Sequence, residues 1–155
     1  MKLFKKKVFE DYFSELQADM VDICLENVEN RAREIYIYCS YEDNVIVSSY
    51  FYNINGMVVS RECLNDAIRS GEEPYDVSCE RQKQVTEILI EDLKKIKDIC
   101  QKYNKPMPTE IKIVYNVETN HMNADYKYEN VYSDDSEKIA YDVLDEWFEE
   151  VKKKN

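Results

Sequence analysis

Glycine is almost missing from this chain of 155 residues: there are two, Gly56 and Gly71, fifteen positions apart. A loop that cradles a phosphate needs several glycines close together, so no phosphate-binding loop is present and nucleotide chemistry is not expected. Histidine occurs once, as His121. A cysteine nucleophile with a histidine base would have to use that residue, and no cysteine is spaced to accompany it. The five cysteines, Cys24, Cys39, Cys63, Cys79 and Cys100, are odd in number and scattered, and no C-x-x-C occurs. They are expected to be free thiols with no metal role. Neither a D-x-D-x-D-G calcium loop nor an H-E-x-x-H helix is found. No apolar run approaches the roughly 20 residues that span a bilayer. Met1–Lys7 is basic but lacks a following apolar stretch, so it does not read as a secretory signal. The expectation is a cytoplasmic protein with no catalytic residue, metal or cofactor.

Negative charge is in excess. There are 32 acidic and 21 basic residues, for a net charge of −11. Seven of the basic residues lie at the ends, four in Met1–Lys7 and the others at Lys152, Lys153 and Lys154. These ends read as basic tails, 1–7 and 152–155, of a single domain covering 1–155. The remainder keeps 14 basic and all 32 acidic residues, a balance of −18, with thirteen tyrosines along the chain. Such a surface repels nucleic acid and anionic membranes and attracts basic proteins.

Apolar residues change period along the chain. Phe9, Tyr12, Phe13, Leu16, Met20, Ile23, Cys24 and Val28 recur at helical steps, which predicts a helix over 8–28. Alternation then predicts strands over 34–41, Val45–Tyr52 and Met57–Val59, with Glu42-Asp43-Asn44 and Asn53–Gly56 as turns. Ser60 is the expected cap of a short helix over Glu62–Ser70, stopped by Gly71. A long helix is predicted over Ser78–Tyr103, ended by Pro106 and Pro108. Strands Ile111–Val117 and Met122–Tyr128 follow, joined by a turn holding His121. A last helix is predicted over Ser136–Val151, with Ser133, Asp134 or Ser136 as its cap. The order α-βββ-α-α-ββ-α predicts an α+β fold, an antiparallel sheet of about five strands with helices packed on it.

Two clusters are candidates for binding. Tyr36, Tyr38, Tyr50 and Tyr52 fall on alternate positions of the first two strands. They form either an exposed aromatic stripe, with Tyr50 and Tyr52 as anchors, or part of a core if a helix covers that face. The second cluster runs from Asp125 to Asp135 and combines Tyr126, Tyr128, Glu129, Tyr132, Asp134 and Asp135. Aromatic anchors beside carboxylates suit a partner rich in arginine and lysine, and a strand end running into a helix start would serve the same residues structurally.

The tyrosine strand Val45–Tyr52, the break Pro106–Thr109, the strand end Asp125-Tyr126-Lys127-Tyr128-Glu129 and Trp147 in the last helix together resemble the YezG-type immunity proteins. The resemblance spans roughly residues 30–150. It implies a small acidic antitoxin that neutralises a polymorphic toxin, often a nuclease, and it implies no enzyme activity. The residues alone point the same way, toward a binding protein for a basic toxin domain, because nucleases carry basic surfaces to hold phosphates. The alternatives are a small cytosolic hydrolase and an adaptor module without a toxin partner.

Overall fold

The computed structural model describes residues 6–155; residues 1–5 of the expected N-terminal tail lie outside the described residues. The chain folds as α1 (Phe9–Asn27), β1 (Glu34–Glu42), β2 (Val45–Ile54), β3 (Met57–Ser60), α2 (Cys79–Lys102), β4 (Glu110–Asn116), β5 (His121–Lys127) and α3 (Ala140–Lys154). The five strands form one antiparallel sheet in the order β3-β2-β1-β4-β5, giving an α+β fold. Two hairpins turn on two residues each: Asp43 and Asn44 with φ of 51° and 61°, and Asn55 and Gly56 with φ of 55° and 88°. Asn, Asp and Gly tolerate this left-handed backbone, which matches the twist of the flanking strands. No helix among the described residues is long and apolar enough to cross a membrane.

Helices cover both faces of the sheet. On one face α1 and α2 bury Met20, Cys24, Leu89, Leu93 and Ile96 against Ile35, Ile37, Tyr52 and Ile113. On the other, α3 packs Ala140, Val143, Trp147 and Val151 onto Tyr36, Tyr38, Phe51 and Val58. Trp147 stands edge-on to Phe51 with ring centroids 5.1 Å apart. This half of the core rests on aromatic burial and edge-to-face packing. Ser78 caps α2 by accepting the Arg81 N–H at 3.2 Å.

Several expectations are corrected. The tyrosines do not form one stripe. A two-residue hairpin pairs even with odd positions, so Tyr36 lies opposite Phe51 and Tyr50 opposite Ile37. Tyr36 and Tyr38 therefore face α3, while Tyr50 and Tyr52 face α1 and α2. The segment after Ser60 forms only a 3-10 turn over Leu64–Ala67. Its polar groups are committed elsewhere: Asn65 exchanges two hydrogen bonds with the Tyr75 backbone, and Asn55 donates to the Ala67 carbonyl at 2.9 Å. His121 opens β5 and is not in the turn. The last helix starts at Ala140, and none of Ser133, Asp134 or Ser136 caps it; Asp142 does, accepting the Ile139 N–H at 2.9 Å. Lys152, Lys153 and Lys154 form the final turn of α3, where their charge suits the negative end of the helix dipole.

Candidate functional site

The segment between β5 and α3 has no regular structure, yet it is held firmly. Its anchor is Glu42 at the end of β1, only 3% exposed. The Glu42 carboxylate accepts the N–H groups of Val131 and Ser133 at 3.1 Å and the Ser133 hydroxyl at 2.6 Å. Several donors on one carboxylate compensate its burial without a cation. Nearby, Tyr132 shares a 2.9 Å hydrogen bond with the Ser40 hydroxyl. Thr109 Oγ1 donates to the Glu129 carbonyl at 2.6 Å.

These bonds divide the expected site residues. Tyr126 is tied to α1: it exchanges hydrogen bonds with the Gln17 amide at 2.7 and 3.1 Å, and its ring lies 5.5 Å from that of Phe13. Tyr132 is half-buried and packs beside the α3 core. Both help hold the segment in place, and Tyr126 keeps 36% of its surface exposed. Tyr128, Glu129, Asp134 and Asp135 are exposed on the outer side of the segment. Tyr50 and Tyr52, expected as secondary anchors, are 2% and 0% exposed. The Tyr52 hydroxyl donates to the Cys24 carbonyl at 2.7 Å, and burial pushes its pKa well above the usual tyrosine range. Both are core residues; Tyr52 offers a partner nothing, and only the edge of Tyr50 reaches a groove between α3 and the sheet.

The exposed carboxylates continue onto the outward face of α3. Eight acidic residues and one lysine lie between residues 134 and 150. Helical period turns Val143, Trp147 and Val151 inward and leaves Asp145, Glu146, Glu149 and Glu150 outward. Lys138 pairs with Glu146 at 3.0 Å and Lys154 with Glu150 at 3.6 Å.

A groove of about 530 Å³ opens between α3 and the sheet where β3 ends. Its apolar and aromatic lining comes from Phe51, Leu144, Phe148 and Tyr141, and its carboxylates from Glu62, Asp145 and Glu149. Tyr141 is 52% exposed. Arg61 also lines it but is committed, donating to the Thr86 hydroxyl at 2.8 Å across to α2. Among the described residues Glu62, Asp145 and Glu149 make no ion pair. The signal for this groove was in the sequence as acids at the outward positions of the last helix. Its other wall, Ser60–Glu62, is distant in sequence, so only the tertiary fold assembles it.

A third feature is a buried carboxyl beside an exposed one. Asp92 on α2 is 2% exposed and meets Asp19 on α1. Burial first, and the neighbouring Asp19 carboxyl second, raise its pKa to about 8. Burial likewise pushes the Cys39 thiol up to about 12, so it is a core thiol and not a nucleophile. Among the described residues all five cysteines are unpaired, and no group of three or more candidate ligands is arranged to hold a metal.

No family model matches this chain, and a search of the curated proteins finds no match.

Proposed function

We propose that this protein binds and neutralises a basic protein partner, as an immunity protein against a basic toxin domain of the nuclease class. The observation that carries this reading is the outward acidic surface formed by the 128–135 segment and α3, continuous with a groove that has aromatic walls and unpaired carboxylates. A nuclease gathers lysine and arginine to hold phosphates. An acidic surface competes for those same side chains, steers the encounter, and covers the substrate groove once bound. The aromatic groups supply contact area that does not weaken with salt, which a purely charged patch lacks.

The test is to sequence the reading frames adjoining this chain's gene and to co-express the chain with a toxic domain found there. Wild-type protein is expected to restore growth and to co-elute with that domain. A variant carrying Asp134→Lys, Asp135→Lys, Asp145→Lys and Glu149→Lys is expected to do neither while melting normally. Growth that is not restored by the wild type, or equal protection by the variant, would sink the reading.

A further inference from the structure

From the groove between α3 and the end of β3 we infer a seat for one arginine side chain of the partner; the inference rests on the binding reading above and names its central contact. Three features select arginine. Asp145 and Glu149 are one helical turn apart on α3, and Glu62 stands on the opposite wall, so carboxylates flank the groove on both sides. A planar guanidinium with five donors can engage two carboxylates at once, whereas an ammonium acts as a point charge. The walls are rings: Phe148 is partly buried, Tyr141 is exposed, and Phe51 is locked behind them by Trp147 and Phe148, with centroids at 5.1 and 5.2 Å. A guanidinium stacks on such faces and its aliphatic stem covers them.

The charge balance of the groove favours a cation. Three carboxylates line it against one cation, Arg61, whose guanidinium is already held by Thr86. The wall carrying Arg61 and Glu62 is fixed from behind, because β3 pairs Ser60 with Phe51. The groove is therefore preformed, and a side chain entering it does not have to order its walls.

The probe is the peptide acetyl-Gly-Arg-Gly-amide, titrated into the full chain and followed by backbone amide NMR and by fluorescence of Trp147, the single tryptophan. Its lysine and citrulline counterparts serve as controls. The arginine peptide is expected to move the amide signals of Phe51, Ser60–Glu62 and Tyr141–Glu149. It should bind several-fold tighter than the lysine peptide, and loss of charge in citrulline should weaken binding by about tenfold or more. Asp145→Asn with Glu149→Gln should abolish the shifts, and Tyr141→Ala should remove the preference for arginine over lysine. These exposed substitutions leave the core intact, so normal melting accompanies the loss. Equal binding of arginine and lysine, shifts confined to the 128–135 segment, or no shift at all would overturn the seat. A cognate toxin domain that binds while the groove ignores arginine overturns the seat and leaves the binding reading standing. Arginine occupying the groove in a protein that protects against no toxin supports the seat and removes only that reading.

Discussion

The carboxylate of Glu42 receives the hydroxyl of Ser133 at 2.6 Å and its backbone N–H at 3.1 Å, which fastens the segment before α3 to the end of β1. One buried side chain thus positions the exposed residues Tyr128, Glu129, Asp134 and Asp135. Glu42→Ala is expected to strip Val131 and Ser133 of their acceptor. Loss of even one charge-assisted bond costs about 1.5–3 kcal/mol, so a destabilisation of at least that size is expected. Amide exchange should rise across 130–138 and stay slow in β1 and β4. Unchanged exchange there would show that the segment is held by its own packing.

The pair formed by Asp92 and Asp19 makes stability depend on pH. The folded-state pKa of Asp92, about 8, lies above its ordinary value of 3.8, so the folded protein retains a proton that the unfolded chain releases. Folding is then favoured at low pH by this group, and its contribution falls as pH rises from about 4 to about 8. Asp92→Asn removes the titration and keeps the shape. The melting temperature of the variant is expected to exceed that of the wild type increasingly from pH 5 to pH 8. Parallel melting curves across that range would contradict the assignment.

Asp134 and Asp135 can be separated from helix capping, because Asp142 holds the cap of α3. Asp134→Lys with Asp135→Lys is expected to weaken partner binding by about tenfold or more and to leave melting almost unchanged. Asp142→Ala is expected to do the reverse, costing about 1 kcal/mol of stability with little effect on binding. Calorimetric melting and titration of the wild type and the two variants checks both halves. A loss of stability in the Asp134 and Asp135 variant equal to its loss of binding would assign these residues to the fold.

Charge steering predicts a kinetic signature. The association rate with a basic partner should fall by about tenfold or more between low and physiological ionic strength, while dissociation changes less. Surface resonance measurements over a salt series read both rates. An association rate indifferent to salt would leave the acidity as a solubility feature.

Local pattern determined much of this molecule. Alternation and turn chemistry around Asp43-Asn44 and Asn55-Gly56 located the first three strands, and helical spacing located α1 and α2 within one or two residues. The antiparallel sheet followed from short connections. Tertiary structure alone decided which surfaces are free. Tyr36 and Tyr50 have the same numerical parity, but the two-residue hairpin places them on opposite faces, and helices on both sides bury both. The path into α3 was likewise decided at a distance: Glu42 fastens backbone groups 89 to 91 residues away, and the helix then starts at Ala140 behind the Asp142 cap. The acidic groove joins β3's end to α3 across more than 80 positions. Local sequence sets the conformations a segment prefers; burial and long-range hydrogen bonds select which of its side chains remain for a partner.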